Sequence, residues 1–370
     1  MTNPEPLDTA AIRAALDEGG QPWQAAENPM TRMSQADRER RLGVPLPSDE
    51  ERAEIEARRF RASAMHREAR AGVAGAPSSF DARDVGGNSY VTGIRDQGGC
   101  GSCVAFGSVA VLETTGAYTR RQPGLELDLS EAHLFYTHGG SVGRNCDNGW
   151  YPLPALEMCR DIGVTYEEYF PYSAGNSGGA SLNSDWPNRL ARAIDVVNPT
   201  GNPVAMKEHI AQYGSITACF LVYDDFFAYR SGVYRHVTGG LAGGHCVALI
   251  GYDDAQGCWI AKNSWGAGWG DGGFFKIAYG ECDIEAWQCV GVQAVRLRAW
   301  TGQARILGLW SNDAPRNAWA YLDTYGWHRV SGPSEQAEST MFDQAVTAKT
   351  AGRTINAFCD NGVINTLYVL

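Results

Sequence analysis

Apolar residues run almost unbroken through "CVAFGSVAVLETTGAY", Cys103 to Tyr118, with no charge before Glu113. A run of that length predicts a helix buried on most sides, with Cys103 in its first turn. Further on, the β-branched and aromatic runs "GSITACFLVY", "HCVALIGY", "CWIAKN" and "GGFFKIAY" predict strands. The chain before Ser79 has another texture, rich in Arg, Glu and Ala. Three helices are expected there: one from near Asp8, one after Ser34 in "SQADRERRLG", and one after Ser48. Ser48 and Glu51 have the spacing of a reciprocal cap, hydroxyl and carboxylate each satisfying an orphan N–H of the first turn. "GVAGAPSS" then reads as a flexible joint. Beyond about Ala299, "QARILGLW", "NAWAYLDT" and "GWHRV" predict strands, and Ser334 to Ala351 predicts a helix. "RTINAFCDNGVINTLYVL" reads as two strands about an Asn-Gly turn. No fixed-period repeat is visible. The pattern is α+β in three regions: 1–78, 79–298, and a small α+β appendage at 299–370.

With 370 residues there is room for two or three folding units and a substantial core. The net charge of -11 argues against nucleic acid and anionic membrane as partners, because both need a basic surface to displace counterions. No apolar run is long enough to span a bilayer, and "MTNPEPLDTAAIRAALDEGG" has neither a basic start nor an apolar segment. The expectation is a cytoplasmic location or export by a route that does not use a conventional signal. The 10 cysteines are too sparse for a disulfide scaffold yet more than a cytosolic enzyme needs, so the redox compartment stays open.

"DQGGCGSC" sets Cys100 and Cys103 in a C-x-x-C pattern that serves zinc sites, thiol exchange and some proteases alike. The apolar run after the pair narrows the choice. A cysteine at a helix start meets unpaired N–H groups that favour its thiolate, and an imidazolium partner would favour it further. His245 alone among the 7 histidines lies at a glycine-rich strand entry, "LAGGHCVALIGYDD". Asn263, ending the next predicted strand in "CWIAKNSWG", supplies a neutral carbonyl to orient an imidazole without adding charge to a thiolate-imidazolium pair.

With Gln97 in "DQGGCGSC", Cys103, His245 in "GGHCVALIGY" and Asn263 in "KNSWGAGWG", the chain resembles the papain-family cysteine peptidases. The resemblance implies a two-lobed fold, helical on one side and β-barrel-like on the other. It implies Cys103 as nucleophile, His245 as general base and acid, Asn263 as orienter, and Gln97 with the Cys103 N–H as oxyanion hole. It also implies a disulfide between Cys100 and Cys146 of "CDNGWYP", Trp265 covering the His-Asn contact, and Gly149, Trp150, Gly244 and Trp287 on the substrate side. The expected partner is a peptide or protein substrate. No cofactor and no metal is assigned.

"SSFDARD", "GGH" and "GECDIEAW" each resemble cathepsin B more than papain. "PWQAAENPMTRMSQADRERRLG" resembles the short cathepsin B propeptide at Trp23, Ala25 and Asn28, which makes residues 1–78 an expected intramolecular inhibitor, cut near "GVAGAPSS". An ordinary helical domain is the alternative, and the Ser48 helix is extra to the resemblance. Nothing resembles the histidine-rich occluding loop of cathepsin B, so endopeptidase action is expected rather than dipeptide trimming. Departures bear on specificity: Val104 replaces an aromatic after the nucleophile, and Trp150 is expected to crowd the wall beside Gly149. Trp287, where cathepsin B has glutamate, is expected to make the second subsite shallow and apolar.

The remaining cysteines, 159, 219, 246, 258, 282, 289 and 359, read as buried thiols or further disulfides. Zinc at Cys282 and Cys289 lacks its paired ligand motif, and the "VYDDF" and "GYDD" acids read as turn formers, not calcium ligands. The other histidines, 66, 133, 138, 209, 236 and 328, sit in no motif. The appendage resembles one attached to some bacterial peptidases of this type; its aromatics read as sheet packing or as a ligand surface. Two further functions stay open: transfer of the acyl group to an amine, and a non-catalytic scaffold on this fold.

Overall fold

Asp8 starts the first helix, α1 (Thr9–Gly19), by accepting from the N–H groups of Ala10 and Ala11. A short strand, β1 (Trp23–Ala25), and a one-turn helix, α2 (Gln35–Glu39), come next, the latter capped by Ser34 on the Asp37 N–H. The next helix is α3 (Asp49–Ala69). Its cap is the reciprocal one: Ser48 N–H donates to Glu51 Oε2 at 2.8 Å, and Glu51 N–H donates to Ser48 Oγ at 3.3 Å. The computed structural model describes residues 6–20, 23–69, 76–125, 127–175, 181–314, 316–323 and 325–370, so the first half of the "GVAGAPSS" joint, residues 72–75, lies outside the described residues.

The chain then forms β2 (Ser79–Asp81), α4 (Cys103–Thr119), a π-helical stretch His133–Gly139, and α5 (Pro152–Asp161). Next come β3 (Val164–Thr165), β4 (Leu190–Val197), α6 (Pro203–Tyr213), β5 (Ile216–Tyr223) and β6 (Tyr229–Tyr234). After these lie β7 (Leu241–Asp253), β8 (Cys258–Lys262), β9 (Phe274–Ala278) and β10 (Gln288–Trp300). The order β1-β6-β9-β8-β7-β5-β10 makes a largely antiparallel sheet, with β6 and β9 parallel. Every residue of α4 from Cys103 to Tyr118 is buried, as its uniformly apolar pattern requires. Gly107 permits a close approach of α4 to β7: a Cβ there would lie 3.1 Å from Cys246 Sγ.

Two units emerge, Met1–Leu182 with Ala193–Val295, and Asn183–Arg192 with Arg296–Leu370. Two expected boundaries change. Residues 1–78 form no unit of their own, because Ile12, Leu16, Trp23 and Met30 share one core with Phe226, Tyr229 and Trp269. The appendage also recruits Asn183–Arg192 from mid-chain, where Arg189 Nη1 donates to Trp300 O at 2.9 Å. A boundary read from texture finds contiguous pieces only.

The second unit holds β11 (Ile306–Ser311), β12 (Ala318–Leu322), β13 (Gly326–Val330), α7 (Glu335–Ala351), β14 (Ile355–Asp360) and β15 (Val363–Val369). Its strands run β14-β15-β13-β12-β11, over a core that includes Ile306, Leu322, Ala345 and Ile364. Asn361 and Gly362 take φ of 51° and 79°, the left-handed pair of the expected hairpin turn.

Candidate active site

Cys103 opens α4 after a turn tied by the Cys100–Cys146 disulfide and by Gly101 N–H donating to Cys146 O at 3.0 Å. His245 lies on β7, next to Cys246, whose backbone faces the Cys103 sulfur. The imidazole is fixed from behind. Its Nε2 is 2.8 Å from Asn263 Oδ1, which also accepts the Ser264 N–H at 2.8 Å. An amide oxygen can only accept, so the proton sits on Nε2 and Nδ1 carries the lone pair. Trp265 covers this contact, its ring centroid 4.6 Å from that of His245. Gln97 is fully buried and oriented by Ser264, whose hydroxyl donates to Gln97 Oε1 at 2.6 Å. That leaves Gln97 Nε2 to donate, and it donates to Cys100 O at 2.8 Å and Arg41 O at 3.0 Å.

Arg41 belongs to the front segment, which runs through this cleft. Trp150 N–H donates to Gly43 O at 2.9 Å, and Val44 N–H donates to Gly244 O at 3.1 Å in an antiparallel bridge. The channel has no room for side chains at its floor. A Cβ on Gly43 would lie 1.9 Å from Gly101 O; one on Gly149, at φ 60°, would lie 2.0 Å from Gly43 O; one on Gly244 would lie 2.5 Å from both Val44 O and the Trp287 ring. Upstream, β1 pairs with β6, Trp23 Nε1 donates to Arg235 O at 2.8 Å, and Asn28 Nδ2 donates to Phe227 O at 2.9 Å. Downstream, α3 lies against the body: His66 Nε2 is 2.8 Å from the buried Glu285 Oε1, its ring stacks on Tyr279, and Arg59 pairs with Asp283 at 3.6 Å.

This enclosure sets the ionisation. Burial pushes the Cys103 thiol up to about 12, with Cys246 adding to it, while the backbones of Cys246, Gly43 and Val104 work the other way. Burial likewise lowers His245 to about 4, against the opposing effects of Asn263 and the Arg41 carbonyl. That carbonyl falls short of a hydrogen bond, and Nδ1 has no hydrogen-bond partner. The thiolate-imidazolium pair expected from the helix terminus is therefore corrected for this covered state: both groups are neutral, because desolvation outweighs the helix terminus.

Gln97, Cys103, His245, Asn263 and Trp265 thus meet around one cleft, with Gly149 and Gly244 as backbone contacts. Trp150 does not crowd the wall: its ring packs over Gly139, and only its N–H faces the cleft strand. Trp287 is buried beside Gly244, but the cavity it lines is not purely apolar, since Glu51, Glu54 and Arg58 of α3 close it. Sequence reasoning missed Ser264, which lies inside the motif "NSWG" and was legible there, and missed Arg41 and Gly43, which no motif marks.

Cys103 thus opens α4 with its sulfur toward the backbone of Cys246, and the adjoining His245 is hydrogen-bonded to Asn263, the residue types of a thiol hydrolase on an α+β fold. Comparison with known proteins gives the family. The pattern described as "Papain family cysteine protease" matches residues 76–292. "Cathepsin B-like CP3" of Giardia intestinalis is 36% identical over 225 residues, 57% of this chain and 72% of that protein. The "Gut-specific cysteine proteinase" of Caenorhabditis elegans is 33% identical over 247 residues, 58% of this chain and 73% of that protein. Among solved structures, "proCathepsin B S9 from Trypanosoma congolense" shares the fold with a TM-score of 0.60 at 24% identity, over 78% of this chain and 98% of that one. The chain belongs to the papain family of cysteine proteases and is a papain-like cysteine peptidase.

Proposed function

We propose that the chain is the precursor of a papain-like endopeptidase, with Cys103 as nucleophile and residues 1–78 as its intramolecular inhibitor. Once the cleft is open, His245 Nδ1 takes the thiol proton and the sulfur attacks the scissile carbonyl. The carbonyl oxygen, now an anion, is met by Gln97 Nε2 and the Cys103 N–H. His245 returns the proton to the leaving amine, the acyl-enzyme remains, and a water deprotonated by the same imidazole releases the acid. Asn263 holds the ring in the tautomer this sequence of steps needs. Gly149 and Gly244 offer backbone groups to an extended peptide, and Trp287 borders the second subsite.

The single observation that supports this reading best is the Arg41 carbonyl on Gln97 Nε2, because a peptide already occupies the donor meant for the oxyanion. Labelling by an irreversible thiol-directed peptide probe tests it. Cys103 should label slowly in the intact chain and rapidly after a cut in the 70–75 stretch and removal of the front segment. Equal labelling in both forms would remove the inhibitory role, and no labelling in either would remove the nucleophile.

A further inference from the structure

Asp96, which precedes Gln97, is no part of the catalytic set, and it rests on a rigid support. Its backbone bridges to Trp265, Gly266 N–H donates to Arg95 O at 3.0 Å, and its own Oδ1 accepts the Gly98 N–H at 2.9 Å. The neighbouring cation, Arg95, pairs with Asp128 instead. Among the described residues the cation on Asp96 is Arg41, with Nη1 at 2.7 Å. The Arg41 side chain is 9% exposed and the Asp96 side chain 53% exposed, so the guanidinium is enclosed while the carboxylate stands at the rim. When residues 41–44 leave, this fixed carboxylate loses its cationic partner.

The direction of the cleft strand says what replaces it. From the Arg41 carbonyl on Gln97 the chain proceeds to Gly43, against Trp150, and to Val44, against Gly244 and Trp287. In the hydrolase reading, Trp287 borders the acyl side of a substrate. The Arg41 Cα and side chain therefore stand on the opposite side of the oxyanion donor, where the first residue of the leaving peptide lies. We propose that Asp96 selects a basic side chain at that residue. This rests on the hydrolase reading and adds a specificity determinant to it. A carboxylate held in place attracts a guanidinium or ammonium and repels a carboxylate without reorganising, whereas a neutral side chain gains and loses nothing.

The test uses the full chain processed by limited proteolysis in the 70–75 stretch. Three internally quenched peptides differ only in Arg, Gln or Glu after the scissile bond. Attraction and repulsion together predict a kcat/KM about ten-fold higher for Arg than for Glu, with Gln between them. In Asp96→Asn, which keeps an acceptor for Gly98, the three should converge to within about two-fold while the Gln peptide holds its rate. Equal rates for all three with the native enzyme would overturn the inference and leave the hydrolase reading standing, whether or not the variant folds. An equal loss for all three in Asp96→Asn would overturn it too. No turnover of any peptide would overturn the reading, and the inference with it.

Discussion

Residues 41–44 and helix α3 both lie on the body of the enzyme, yet they are held by opposite kinds of contact. Apart from the Arg41–Asp96 pair, the cleft strand is bound through its backbone: Arg41 O on Gln97, Gly43 O on Trp150 N–H, Val44 N–H on Gly244 O, in a channel floored by glycines. Helix α3 is bound through side chains: His66 on Glu285, Arg59 on Asp283, Arg58 on the carbonyls of Ala286 and Trp287, with Ile55 and Ala62 buried beneath. Backbone contacts tolerate sequence change except where there is no space, whereas side-chain contacts fail one residue at a time. In the proposed precursor the strand would carry the block, and the helix would keep the strand in place.

The sharpest way to break this contrast is Gly43→Ala in the intact chain. A Cβ 1.9 Å from a backbone oxygen has no flexible neighbour to move, so the strand must lift. Overpacking of about 1–3 kcal/mol predicts a peptide-hydrolysing activity about 5- to 150-fold above the unaltered precursor. An unchanged rate would show that the strand is not the block.

Acidity acts on the strand through His245. His245 titrates near 4 in the covered cleft against about 6.5 for an exposed imidazole, so the covered state binds fewer protons over that interval. Covering is fully favoured above about pH 6.5 and loses ground as pH falls toward 4. On the alkaline side Cys103, near 12, keeps a proton that an exposed thiol surrenders above about 8.5, and covering weakens again. The rate of Cys103 labelling in the intact chain should pass through a minimum between those limits. A flat profile from neutrality down to about pH 4.5 would contradict the cause given for the His245 shift.

Smaller effects belong to the helix. His66→Ala removes one partner of Glu285 but leaves the Trp259 Nε1 and Gly280 N–H donors, each on the same Oε1. A loss of about 1–2 kcal/mol should raise precursor activity several-fold and leave the processed enzyme unchanged. Ser48→Ala removes one arm of the α3 cap, worth about 0.5–1 kcal/mol, and should give the least leak, visible as faster amide exchange in the first turn of α3. A helix variant that activates more than Gly43→Ala would reverse the assignment of roles.

Much of this molecule is legible from its residues. The caps at Asp8, Ser34 and Ser48, the uniformly buried α4, strands β5 and β7 to β9, and the Asn361–Gly362 turn all obey local rules that need only a few adjacent positions. The cleft residues are legible because Gln97, Cys103, His245 and Asn263 each sit in dense local wording. The path of Arg41 and Gly43 is not, because their contacts join residues more than 50 positions apart and a backbone hydrogen bond leaves no mark on side-chain identity. Trp150 departs from expectation for a related reason: its type belongs to the motif, but the side on which its ring packs depends on Gly139.

The order of residues marks the groups of the candidate site, the Cys103 thiol, the His245 imidazole and the Asn263 and Gln97 amides, together with the elements that carry them. Folding in three dimensions establishes their state. Whether the thiol is charged, whether the imidazole holds one proton or two, and whether Gln97 Nε2 is free depend on a strand brought in from the front of the chain. Its enclosure removes water from the cleft and supplies a carbonyl to Gln97, and desolvation acts through space between groups that are far apart along the chain.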